Sequence, residues 1–227
     1  MKPIEPMEPM SVSTVERIKN NYIVQAWLVL TLALFFGASL AGIQIKLGPT
    51  IETNKINETL EKVPEMVLGL AQAQKMAEKG ESLNVKIHNI EVEKSGRTKC
   101  YNVFEAKYPD GKLAGWVTKA KGQGYADKIE LLVGLDPHAK TINGLFVLDQ
   151  KETPGLGNKM INFDWRKQFI KKGTDAPLIV TKEGAKAGNE IDSITGATIS
   201  SRAVCSIVNN AVKDLKKTLA AKAKGCN

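Results

Sequence analysis

The strongest constraint on this chain is an uninterrupted apolar run at residues 23–45, IVQAWLVLTLALFFGASLAGIQI. It holds no charged side chain, and its only amides, Gln25 and Gln44, lie near its two ends. At about 1.5 Å per residue a helix of this length covers roughly 30–35 Å, enough for a hydrocarbon core of about 30 Å. Tyr22 and Trp27 stand at one end, where amphipathic aromatics favour a membrane interface. A cleaved leader is the competing reading, with Ser39-Leu40-Ala41 as a small-residue cleavage site. The run exceeds the usual apolar core of a leader, about 7–15 residues, so an uncleaved anchor is expected. Upstream, Ser13-Thr14-Val15-Glu16 has capping-box spacing, and a helix is expected to start near Thr14. Arg17 and Lys19 precede the run and Lys46 follows it, which places the N-terminus inside and the remainder outside the cytoplasm.

The rest of the chain must be polar, because the mean hydropathy of all 227 residues is only −0.18 despite that run. One span carrying a soluble domain fits; several spans do not. Net charge is +8, but the lysines are scattered and aromatic residues make up 6%, so no nucleic-acid partner is expected. The three cysteines, Cys100, Cys205 and Cys226, have no CxxC spacing, and His88 and His138 stand far apart. A disulfide framework, a zinc site and an iron–sulfur site therefore lack support, and no metal is expected.

The expected organisation is an arm at residues 1–22, a transmembrane helix at 23–45, a linker and helix at 46–80, and an α+β domain at 81–227. Residues 46–57 read as extended. Leu60, Val63, Val67, Leu70 and Ala71 give helical spacing over 58–79, interrupted at Pro64 and stopped at Gly80. Alternation through Val85, Ile87, Ile90 and Val92 predicts a strand, with a turn at Ser95-Gly96. Residues 100–108 and 113–120 predict a hairpin around Pro109-Asp110-Gly111, and 129–135 with 141–148 a second around Asp136-Pro137. A short helix is expected over 162–172 and a short strand over 178–181. In the last helix, Val204, Ile207, Val208, Ala211, Leu215 and Leu219 share one face.

Residues 192–204 read DSITGATISSRAV. Gly196 allows a tight turn and Ala197 keeps it slim, while Thr198, Ser200 and Ser201 put hydroxyls at the start of the final helix. Such a terminus attracts phosphate through its unpaired N–H groups and its dipole. On local physics alone the favoured account is an ordinary cap, with Thr198 or Ser200 satisfying the first turn. Residues 151–157 read KETPGLG: Pro154 and two glycines fix an exposed loop, Glu152 and Thr153 offer polar contacts, and Leu156 an apolar one. Gly122-Gln123-Gly124-Tyr125 is a glycine turn between two strands.

The order GQGY, ETPGLG, then D-x-x-TGAT-x-SS-x-x-V resembles the FMN-binding domain of the G subunit of the Rnf ion-translocating oxidoreductase complex. It is similar also to the C subunit of the Na+-translocating NADH:quinone reductase. The resemblance covers residues 81–219. It implies an α+β FMN-binding domain on a single N-terminal transmembrane helix, acting as an electron-transfer subunit with no autonomous catalytic site. It implies FMN bound covalently, its phosphate esterified to Thr198 by a separate flavin transferase with FAD as donor. Asp192, Thr195, Gly196 and Ala197 match the rest of that motif, and Glu152, Thr153, Gly155 and Leu156 match a loop beside the isoalloxazine, with Gly124 nearby. The partners implied are the other membrane subunits of a ferredoxin:NAD+ oxidoreductase, in the cell membrane with the flavin domain on the extracytoplasmic side. The quinone-reductase subunit is the alternative. A cofactor-free assembly protein, in which TGAT is a cap and ETPGLG a turn, is the second.

Overall fold

The computed structural model describes residues 21–94, 96–186 and 188–224. The expected helix start near Thr14, the basic residues Arg17 and Lys19, and Cys226 lie outside them. The chain divides into two compact units, Met1–Asn54 and Lys55–Asn227.

In the first unit the described residues from Tyr22 onward are helical. Helix α1 spans Tyr22–Leu68, which includes residues of both units. Asn21 caps it, its side-chain oxygen accepting from the Ile23 N–H at 3.0 Å. Leu28, Leu30, Leu34 and Phe35 are all more than half exposed, and the helix is long and apolar enough to cross a membrane.

The expected extended linker at 46–57 is helical instead, and the expected interruption at Pro64 does not occur. Proline accepts helical backbone angles, but it lacks an N–H and its ring crowds the carbonyl four residues back. At Pro64 that loss is offset by burial of Val63, Met66 and Val67, all at or below 3% exposure. The break comes at Gly69, whose φ of 80° few other residues adopt, and helix α2 follows over Leu70–Glu78. Gly80 closes it with φ 71°.

In the second unit the polypeptide then forms an antiparallel meander: β1 Asn84–Lys94, β2 Arg97–Lys107, β3 Leu113–Gln123, β4 Lys128–Leu135, β5 Thr141–Asp149 and the short β6 Lys172–Gly173, in that order across the sheet. Both expected hairpins form. Asp136 sets the second turn, its Oδ1 accepting from the N–H groups of Lys140 at 2.5 Å and Thr141 at 2.7 Å. The expected helix at 162–172 is shorter. A 3-10 turn at Gly157–Ile161 leads into α3, Phe163–Arg166, and another 3-10 turn at Lys167–Phe169. The expected strand at 178–181 is β7, Ile179–Thr181, which pairs in parallel with an unforeseen β8, Glu190–Asp192. Helix α4 runs over Thr198–Lys224.

Alternation along β4 explains the layering. Ile129, Leu131, Val133 and Leu135 face the cluster beneath α4, with Trp116, Phe169, Val204, Val208 and Leu215. Leu132 faces the opposite cluster, with Val63, Met66, Phe104 and Val117. The sheet is thus covered on one face by α4 and on the other by residues 55–68 of α1. The compact unit therefore begins well before residue 81.

Candidate functional site

The start of α4 meets the loop after β5 in a cleft of about 640 Å³, within the range typical of cofactor sites. Thr195, Gly196, Ala197 and Thr198 line one side, and Thr153 and Leu156 line another. Strands β7 and β8 end at the same place. Lys182 and Ser193, each the residue following its strand, both line the cleft, and the Ser193 N–H donates to the Thr181 carbonyl at 2.8 Å.

The expected cap is not what the Thr198 hydroxyl provides. Ala197 occupies the cap position, its carbonyl accepting from the Ser201 N–H at 3.0 Å and from Ser201 Oγ at 3.0 Å. Ser201 Oγ also accepts from the Ile194 N–H at 3.0 Å, which staples the turn shut. Ser200 Oγ is directed elsewhere, to Glu152. The N–H groups of the first turn have no partner within the helix, and Thr198, Ile199 and Ser200 all line the cleft. Thr198 is half-buried, and its hydroxyl makes no hydrogen bond among the described residues.

Glu152 lies beneath the cleft rather than along it. It is 4% exposed; its Oε2 accepts from Ser200 Oγ at 2.6 Å and its Oε1 from the Ala126 N–H at 3.1 Å. One carboxylate thereby ties the loop after β5, the turn before β4 and the first turn of α4 together. Gly124 packs against it: a Cβ there would collide with Glu152 Oε1. A Cβ on Gly157 would fall 2.8 Å from Glu152 Oε2 and Ser200 Oγ, so this knot closes only around glycines.

Gly155 takes φ 76° at the exposed tip of its loop, clear of other atoms. Gly196 takes φ 79°, and a Cβ there would meet Leu156 Cδ2 at 2.9 Å. Asp192 is held away from the cleft lining: its N–H donates to Gln168 Oε1 at 2.7 Å and its carbonyl accepts from Trp165 Nε1 at 2.8 Å. Of the expected site residues, Thr198, Thr195, Gly196, Ala197, Thr153 and Leu156 line the cleft, while Glu152, Gly124, Gly155 and Asp192 do not.

Tyr125, Leu156 and Ile199 are exposed by 64%, 41% and 58% around that cleft. Apolar surface at a polar, cation-bearing mouth suits a planar aromatic ring joined to a phosphate. The cleft thus fits the parts of a flavin mononucleotide. Lys182 and the first turn of α4 stand for the phosphate, and Tyr125, Leu156 and Ile199 for the ring. Lys182, Ser193 and Ile199 escape sequence reasoning. Lys182 is one lysine among many, and nothing local marks the end of a three-residue strand as a site.

Residues 124–213 match the family model of the FMN-binding domain. That interval contains the whole cleft. Among curated proteins, the G subunit of the Na+-translocating ferredoxin:NAD+ oxidoreductase complex of Acetobacterium woodii is 38% identical over 106 residues, covering 46% of this chain and 50% of that protein. The G subunit of the proton-translocating complex of Clostridium ljungdahlii is 39% identical over 104 residues, 46% of this chain and 55% of that one. The chain spans about half the length of the curated relatives it matches. The crystal structure of Shewanella oneidensis NqrC superposes with a TM-score of 0.59 at 18% identity, over 76% of this chain and 99% of that one. The α+β fold of the FMN-binding domain is shared across that distance.

Proposed function

We propose that this chain is a membrane-anchored electron-transfer subunit that carries FMN as a phosphodiester on Thr198, within an ion-translocating ferredoxin:NAD+ oxidoreductase. The observation that carries this reading is the Thr198 hydroxyl. Among the described residues it makes no hydrogen bond, and it stands in a cleft where the TGAT and ETPGLG segments converge. Similarity to two G subunits supports the complex, and the apolar part of α1 supports the anchor. The basic residues before the apolar run favour an extracytoplasmic flavin domain.

In the attachment step the Thr198 Oγ–phosphorus bond forms as the phosphoanhydride of FAD breaks. AMP leaves and the hydroxyl proton passes to solvent, with a separate flavin transferase as catalyst. Bound there, FMN supplies the electron chemistry. This chain's residues position it: the first turn of α4 stabilises the phosphodiester charge by about 0.3–1 kcal/mol, and Ser201 and Glu152 hold that turn in place. The covalent link, more than that small term, keeps the group at high local concentration.

Purified protein should keep yellow fluorescence after denaturation on a gel, and its intact mass should exceed the sequence mass by FMN less one water. Thr198→Ala should abolish both while Thr195→Ala keeps them. Retained flavin in the Thr198 variant refutes the attachment site. A colourless wild-type chain of unmodified mass returns the cofactor-free assembly reading. The C subunit of the Na+-translocating NADH-quinone reductase of Neisseria meningitidis, 28% identical over 130 residues, keeps the alternative complex open to test. A co-purifying iron–sulfur subunit that oxidises ferredoxin decides for the first.

A further inference from the structure

A second groove, of about 450 Å³, adjoins the flavin cleft and shares Ile199 with it. It exists because the sheet opens at this point. β2 pairs with β3 only from Val103↔Thr118 to Lys107↔Leu113. Beyond that, β3 continues to Gln123 beside β4, while the first half of β2 runs beside β1. The helix closes the floor of the opening, with Gly122 so near α4 that a Cβ would lie 2.5 Å from Ile207 Cγ1.

Each wall of this groove contributes one cation: Lys99 from β2, Lys121 from β3 and Arg202 from α4. Among the described residues no carboxylate lines it. Among the described residues none of the three cations has an ion pair, and Lys99 lies over the Tyr101 ring at 4.6 Å from its centroid. Other lysines of this domain are paired: Lys119 with Glu130 at 3.1 Å, Lys216 with Asp175 at 2.7 Å and Lys151 with Asp127 at 3.5 Å. Arg202 stands one helical turn from Thr198, so the positive groove begins beside the attachment point.

We propose that this groove docks an acidic face of the protein that exchanges electrons with the group held at Thr198. The inference rests on the electron-carrier reading above. Electron exchange demands that a partner approach the mouth of the cleft, and the surface beside that mouth offers unpaired positive charge over an open sheet edge. Charge complementarity of this kind steers encounter and fixes register.

The test titrates the full chain in lipid nanodiscs with a small acidic [2Fe–2S] ferredoxin as probe, at about 50 mM and about 300 mM salt. Lys121→Gln/Arg202→Gln should weaken binding about tenfold at the lower salt, with the difference shrinking at the higher. Lys213→Gln/Lys217→Gln removes equal charge from the same exposed stripe of α4 but about 16–22 Å farther along the helix, outside the groove, and should change affinity by less than about twofold. Equal weakening by both pairs, no weakening by the first, or no binding by wild type overturns the proposal. So does tight binding of inorganic pyrophosphate that excludes ferredoxin, which would mark a small-anion site. Gel fluorescence of the same preparations reports the flavin separately, so a flavin-free chain sinks the function without deciding the groove.

Discussion

Replacing Glu152 with alanine removes one carboxylate and strands two donors. Ser200 Oγ loses an acceptor at 2.6 Å and the Ala126 N–H loses one at 3.1 Å, both beneath a surface where Glu152 itself is 4% exposed. A buried polar group left without its partner costs about 1–3 kcal/mol, so two cost about 2–6. The Ser200 hydroxyl can rotate toward another acceptor, which places the expected loss at about 2–4 kcal/mol. For a domain of this size that lowers Tm by about 4–16 °C. Glu152→Gln keeps the volume. Its amide oxygen still accepts from the Ala126 N–H and its NH2 can donate to Ser200 Oγ, so only charge assistance is lost, about 1 kcal/mol.

The assay is denaturant unfolding of the full chain in detergent, followed by the fluorescence of the buried Trp116 and Trp165. Ser200→Ala completes a cycle. With Glu152 already removed, truncating Ser200 should cost about 1 kcal/mol less than it does in the wild type. Attached flavin, read on the denaturing gel, should fall in Glu152→Ala and persist in Glu152→Gln. Equal losses in the alanine and glutamine variants, or strict additivity with Ser200→Ala, would refute the claim that this carboxylate acts by holding three segments together.

Gly157→Ala tests the same knot from its other side. A Cβ 2.8 Å from Glu152 Oε2 and Ser200 Oγ should cost about 1–3 kcal/mol in unfolding free energy and lower flavin content, and a neutral result would show that the loop yields freely. The second test concerns acid stability. Burial pushes the Glu105 carboxyl up, but hydrogen bonds from His88 at 2.9 Å and Lys107 at 3.2 Å, with their charges, outweigh it and hold its pKa below the ordinary carboxylate value. The stability this provides is fully present above the unfolded-state value and is lost as pH falls through the lower folded value. Unfolding free energy measured against pH should therefore drop on the acid side in wild type, and the gap to Glu105→Gln should narrow there; a gap constant from about pH 7 to about pH 3 contradicts the assignment.

The meander is legible because short apolar runs, such as Leu131-Leu132-Val133 buried on both faces, lie between turn signals. Turns such as Asp136-Pro137 also carry their own hydrogen-bonding chemistry. Helix α1 is hard to read for the opposite reason. Whether a proline ends a helix is decided by what the flanking residues bury, and the cover that Phe104, Val117 and Leu132 give to Val63 and Val67 is not written near Pro64. The approach of α1 to the sheet is equally hidden. It depends on Gly134 and Gly144, paired across β4 and β5, where added Cβ atoms would run into Met66. At the site the division is sharper. Thr198 and its neighbours read clearly as a motif, since a slim turn before a helix has few sequence solutions. Yet the motif alone favours a cap. What frees the Thr198 hydroxyl is that Ala197 takes the cap position, Ser201 staples the turn and Glu152 engages Ser200 from forty-eight positions away. Local sequence singles out the Thr198 hydroxyl, while long-range packing decides that among the described residues it is left without a partner, and only the second of these suits a helix start to the attachment proposed above.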